Sequence, residues 1–158
     1  MNKLINYNRS QLVVLVILRV LLGWYFLYEG LAKLLAPGWT SFAYLKDSEG
    51  ILSDFFIWLA DNSTILYVVD IVNIYGLVII GLSLILGAYV KLVSVGGIAL
   101  LSMYYLSHPP LIDANYILRT EGSALWVDKN LIMLCAFFVI IYFPTSKLIG
   151  LDRYLLKK

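Results

Sequence analysis

Six polar side chains stand in strongly apolar surroundings: Glu29, Lys33, Asp70, Asn73, His108 and Asn130. Two carboxylates, an ammonium, two amides and an imidazole can exchange protons and hydrogen bonds with a molecule that carries carbonyl or hydroxyl groups. Glu29 and Lys33 are four residues apart, in the order that favours an ion pair along a helix. Other chemistries fit the chain poorly. A single histidine and a single cysteine, Cys135, give no metal-ligand spacing and no bis-histidine haem site. One cysteine excludes dithiol chemistry within the chain. There is no glycine-rich phosphate loop, no nucleophilic triad and no sign of a covalently bound cofactor. A net charge of +2 without a basic patch leaves nothing for nucleic acid.

The elements that must position these groups are membrane helices. The chain has 158 residues, 61% hydrophobic and 14% charged, with a mean hydropathy of +0.86. Soluble domains run at roughly 45–50% apolar and about 25% charged. So apolar a chain cannot cover itself with a water-compatible surface, and lipid is the expected solvent. Four apolar runs stand out, at about 11–36, 64–90, 92–107 and 129–144. They are too long for barrel strands and do not alternate in polarity, so the expected fold is all-α: one membrane domain, a bundle of four transmembrane helices. The last two runs are short for a span, which tilt or local thinning of the bilayer accommodates. Arg19 interrupts the first run and no small-residue cleavage site follows it, so it reads as a retained helix rather than a signal peptide.

Lys and Arg crowd both tails and the connection at Lys91, which places both termini in the cytoplasm and, in the inner membrane of a Gram-negative cell, makes the other side the periplasm. The acid-rich segments between the first two and the last two runs then face outward. In the first of these, Ile51, Leu52, Phe55, Phe56 and Leu59 recur at helical spacing, which predicts an amphipathic helix on the outer surface. The second, residues 108–128, is irregular and is expected to fold over the bundle. Trp39, Tyr104, Tyr105, Tyr116 and Trp126 fall near the outer boundary, where an aromatic belt belongs.

At about 1.5 Å per residue, the six polar residues come from all four helices and converge on the outer half of the bundle. Each alone has a plain structural reading. Glu29 and Lys33 neutralise one another, Asp70 pairs with Lys33 or caps a helix, and His108 is interfacial. Arg19 lies nearer the cytoplasm and is expected to snorkel to lipid phosphates, and Cys135 to pack in the core. Together, intramembrane ionisable groups at one depth read as a functional site. A quinone suits it: two carbonyls take hydrogen bonds from Lys33, His108 or a tyrosine, and Asp70 or Glu29 exchanges protons. Other lipid-soluble ligands meet the same requirements.

The first helix carries Arg19-x3-Gly23-x2-Phe26-x3-Gly30-x2-Lys33 followed by Pro37, and the fourth opens on Asp128-Lys129-Asn130-Leu131. This resembles the DoxX/DoxD family of small membrane proteins, and the segment after Pro37-Gly38-Trp39 looks more like the DoxD branch, the small subunit of thiosulfate:quinone oxidoreductase. The resemblance implies a four-helix bundle, a quinone as the ligand and a second redox subunit as electron donor. Two readings compete with it: a non-enzymatic anchor or assembly partner for a periplasmic protein, and a small-solute transporter. Membrane lipid is the expected surrounding in every case, and a homo-oligomer is compatible with all three. Gly23 and Gly30 lie on one face with Phe26, and there, as at Gly81, Gly96 and Gly97, glycine is expected to let helices approach closely.

Overall fold

A computed structural model describes residues 7–110 and 126–155. The long helices are α1 (Arg9–Leu35), α4 (Ser63–Leu86), α5 (Val90–Ser107) and α6 (Lys129–Tyr142), with short helices α2 (Phe42–Lys46) and α3 (Ser53–Asp61) between α1 and α4. A 3-10 turn (Thr145–Lys147) and α7 (Asp152–Leu155) follow α6.

Local chemistry sets the boundaries. Gln11 accepts from the Asn8 backbone N–H at 3.0 Å and starts α1, which stops ahead of Pro37. The Asn62 side chain caps α4 through Ile65 N–H at 3.2 Å. Gly87, at φ 69°, ends α4 in the left-handed region that glycine adopts without steric cost. The Asp128 carboxylate caps α6 through Leu131 N–H at 2.8 Å. Phe143 and Pro144 close that helix.

Three of these helices, α1, α4 and α5, are long and apolar enough to cross a membrane. The fourth, α6, is apolar but has 14 residues. It spans about 21 Å against a hydrocarbon core of about 30 Å. The helices pack as two pairs, α1 on α4 and α5 on α6, joined through α4 and α5. Phe26, Leu77, Leu84, Leu101 and Phe137 form the shared core. Small residues set the spacing of α1 and α4. A Cβ on Gly30 would sit 2.8 Å from Val78 Cγ2, and Gly81 lies directly on the Leu27 backbone. Gly97 does the same for the Phe137 ring, whereas Gly96 meets only ordinary contacts and is not needed for packing.

Two expectations change. The amphipathic helix begins at Ser53, after a turn at Gly50 (φ 99°), so Ile51 lies outside it and is fully exposed. Phe56 and Ala60 turn inward onto Leu45, while Phe55 and Trp58 face out. Cys135 is exposed, not in the core. It sits two residues from Phe137, about 200° around the helix from the face that α6 buries. Most of the 108–128 segment, Tyr116 included, lies outside the described residues.

Candidate functional site

The chain reversal at Pro37-Gly38 and the end of α5 put the loops at one end of the bundle, and a cavity of about 550 Å³ opens there. Tyr25, Phe26, Glu29 and Lys33 reach it from α1, Asn73 and Leu77 from α4, Leu101 and Tyr104 from α5, and Asn130 and Met133 from α6. Trp39, Thr40, Ser41, Tyr44 and His108 form its rim.

Lys33 does not pair with Glu29. Its Nζ donates to Asn73 Oδ1 at 3.0 Å and lies over two rings, 5.2 Å from the Trp39 centroid and 5.5 Å from that of Tyr104. The reason is the helix face: Lys33 follows Phe26 by seven residues and Gly30 by three, so it projects with them toward α4, where Asn73 stands. Glu29, one turn earlier and about 40° around the helix from Lys33, reaches the cavity half-buried and lines the open space. The Tyr104 hydroxyl is buried without a hydrogen-bond partner, close to the Asn73 amide.

His108 is buried rather than interfacial. Its Nδ1 lies 2.8 Å from Ser107 Oγ and its Nε2 3.8 Å from Asp47, and its ring stacks on Tyr44 at 4.0 Å. Burial lowers the imidazole pKa, with Asp47 pulling the other way. Asn130 donates to Asp128 Oδ2 at 2.8 Å and lines the cavity from the first turn of α6. Asp70 does not reach the cavity: its Oδ1 accepts from Ser41 N–H at 2.8 Å and Ser41 Oγ at 2.5 Å. It anchors the segment that carries Trp39 and Thr40, and so positions the rim.

Arg19 corrects another expectation. It is 2% exposed and does not reach lipid phosphates. Its Nη1 donates to Thr145 Oγ1 at 3.2 Å, because the turn after α6 folds across it. Asp152 lies in the same cluster and accepts from Tyr89 N–H (2.6 Å), Val90 N–H (3.2 Å) and Ser146 Oγ (2.7 Å). This end of the bundle packs its polar groups tightly around the close approach of Gly87 and Gly150, with Arg19 Nε buried and without a hydrogen-bond partner.

Residues 14–108, more than half of the chain, match the sequence profile of the DoxX family. The chain belongs to the DoxX family. With its apolar helices, it is a multi-pass membrane protein. No curated protein and no solved structure matches the chain. The matched stretch holds Arg19, Gly23, Phe26, Gly30, Lys33, Asp70, Asn73 and His108, and ends before α6 and Asn130.

Four contributors to this DoxX cavity escape a search for intramembrane charge: Tyr25, Trp39, Tyr44 and Tyr104. Aromatic residues near a boundary read first as membrane belt. A signal did exist in the spacing. Leu101, Tyr104 and His108 lie on one helical face, as do Tyr25, Glu29 and Lys33.

Proposed function

We propose that this DoxX protein binds a lipid-soluble quinone-like molecule in the cavity at the loop-rich end. The observation that carries the reading is the buried Tyr104 hydroxyl without a partner, beside the Lys33 ammonium, on a cavity of about 550 Å³. A buried donor left unmatched costs about 1–3 kcal/mol, which a ligand carbonyl would recover. Aromatic walls from Tyr25, Phe26 and Trp39 suit a flat ring, and the volume suits a ligand of drug size. Glu29 would hold or release a proton at the ligand oxygen away from Lys33.

In this reading α6, extended by its flanking residues, is the fourth span. The end bearing Arg9 and Asp152 faces the cytoplasm and the cavity lies in the outer leaflet of the inner membrane. The electron donor would sit on a second subunit, as the DoxD resemblance implies for thiosulfate. Titration of the nanodisc-embedded protein with ubiquinone and menaquinone tests the proposal. Saturable binding is expected, weakened about tenfold or more by Tyr104→Phe or Lys33→Met. A folded protein that binds neither quinone would end it.

One surface favours a second reading, an anchor for a periplasmic protein. Phe55 and Trp58 stack at 6.4 Å and 25° on the exposed face of α3. A stoichiometric partner lost on Phe55→Ala would support that role, and retention of the partner would exclude this surface.

A further inference from the structure

The two helix pairs leave a seam. Along the bundle α1 lies on α4 and α6 on α5, but α1 and α6 touch at few positions. Below the cavity the seam is closed by the edge-to-face contact of Phe26 with Phe137, at 5.2 Å. Above that floor, Tyr25 and Glu29 on α1 face Lys129 and Met133 on α6, and all four line the cavity. Across this upper part of the seam the Lys129 ammonium lies over the Tyr25 ring, 5.8 Å from its centroid. On either side the surface is apolar: Trp24 and Tyr28 of α1 and Ile132 of α6 are all more than half exposed.

Resting on the proposed quinone site, we infer that the upper α1–α6 seam is a second subsite, which takes the apolar tail of the ligand and through which the ligand passes from the bilayer. The argument is one of solvent. A tailed ligand cannot bring its chain through the polar rim at Ser41 and His108 without taking apolar surface into water, which is unfavourable in proportion to the area exposed. The seam offers the opposite. It joins the polar cavity to an apolar surface, so the head reaches Lys33 and Tyr104 while the tail never leaves hydrocarbon. The Lys129–Tyr25 contact is suited to holding the seam shut between ligands. A cation over a ring is a weak attraction at an exposed site, and this one lies at the surface: Lys129 is exposed and Tyr25 half-buried. Met133, an unbranched side chain at the seam's inner edge, can shift to admit a chain.

The test bridges the seam. Tyr25→Cys and Lys129→Cys are combined in a Cys135→Ser background, in nanodiscs, and linked with a bis-methanethiosulfonate reagent. Decylubiquinone and the tail-less ubiquinone-0 are titrated before and after bridging. Bridging is expected to weaken decylubiquinone about tenfold or more and to change ubiquinone-0 by less than about twofold. Unchanged affinity for decylubiquinone would overturn the tail subsite, and equal weakening of both ligands would do the same. Absence of binding by either ligand before bridging would instead strike the quinone site itself. Lys129→Met needs no cross-link, leaves the aromatic walls in place and reports on passage. It should speed decylubiquinone exchange about threefold, and exchange no faster than in the unmodified protein would remove the seam as the route.

Discussion

The two ends of the bundle use buried polar groups in opposite ways. Around Arg19 most of the groups are held by the chain: Arg19 Nη1 donates to Thr145 and the Asp152 carboxylate holds two backbone N–H groups and Ser146, while Arg19 Nε is buried without a hydrogen-bond partner. Glycines bring the backbones together there. Around Lys33 the groups surround an open volume, and Tyr104 keeps an unmatched hydroxyl. Both clusters lie within or beside apolar helices and both contain residues of the same sequence motif. The difference is where the unmatched atom lies: Arg19 Nε is packed beneath the turn after α6, whereas the Tyr104 hydroxyl belongs to a residue that lines an open volume. The first arrangement stabilises a fold, and the second is what the proposed ligand site requires, since stability is commonly given up for function.

Substitutions should separate the ends. The largest effect is expected from Asp152→Ala, which removes the cap of α5 and leaves Arg19 without a nearby counter-charge. Stability should fall by about 3 kcal/mol, read as a lower unfolding temperature in detergent, with quinone affinity of the remaining folded protein unchanged. Lys33→Met should do the reverse. Ligand binding should drop about tenfold, while the unfolding temperature stays level or rises, since a buried ammonium gives way to an apolar side chain of similar length. A loss of stability equal to that of Asp152→Ala would mean the two ends are not different in kind.

Smaller effects sharpen the contrast. Tyr89 sits at φ 49°, in the left-handed region, clamped by Asp152. Tyr89→Gly should relieve that strain and raise stability by about 0.5 kcal/mol, measured by the same unfolding assay, with no change at the cavity. At the other end, His108 supplies a pH test. Burial holds its folded pKa below 6.5, so the folded state binds fewer protons than the unfolded one as pH falls through that value. Its contribution is therefore complete above pH 6.5 and declines as the pH is lowered toward the folded pKa. The unfolding temperature should fall over that window, and His108→Gln should flatten the decline. An unchanged slope would show that the imidazole is not held neutral.

Much of this was legible in the residues. The excess of apolar residues required helices in lipid, and the cost of intramembrane charge drew attention to Glu29, Lys33, Asn73, His108 and Asn130, all of which line the cavity. Asp70 was legible as important but not in its role, because a carboxylate near a helix end looks the same whether it meets a ligand or a serine. The Glu29–Lys33 spacing allowed an ion pair that tertiary packing did not use.

Composition and residue spacing were enough for the solvent, the helical class, the DoxX family and the gathering of polar groups toward one end of the helices, because these follow from residue types and from distance along a helix. Which of those groups face each other and which face a void was settled by helix packing. That depends on rotation about each helix axis and on which helices pair. Glycine contacts bring α1 against α4 and turn Lys33 toward Asn73, and the fold after α6 covers Arg19. Rotation and pairing are set by side chains distant in the chain, and so no local pattern contains them.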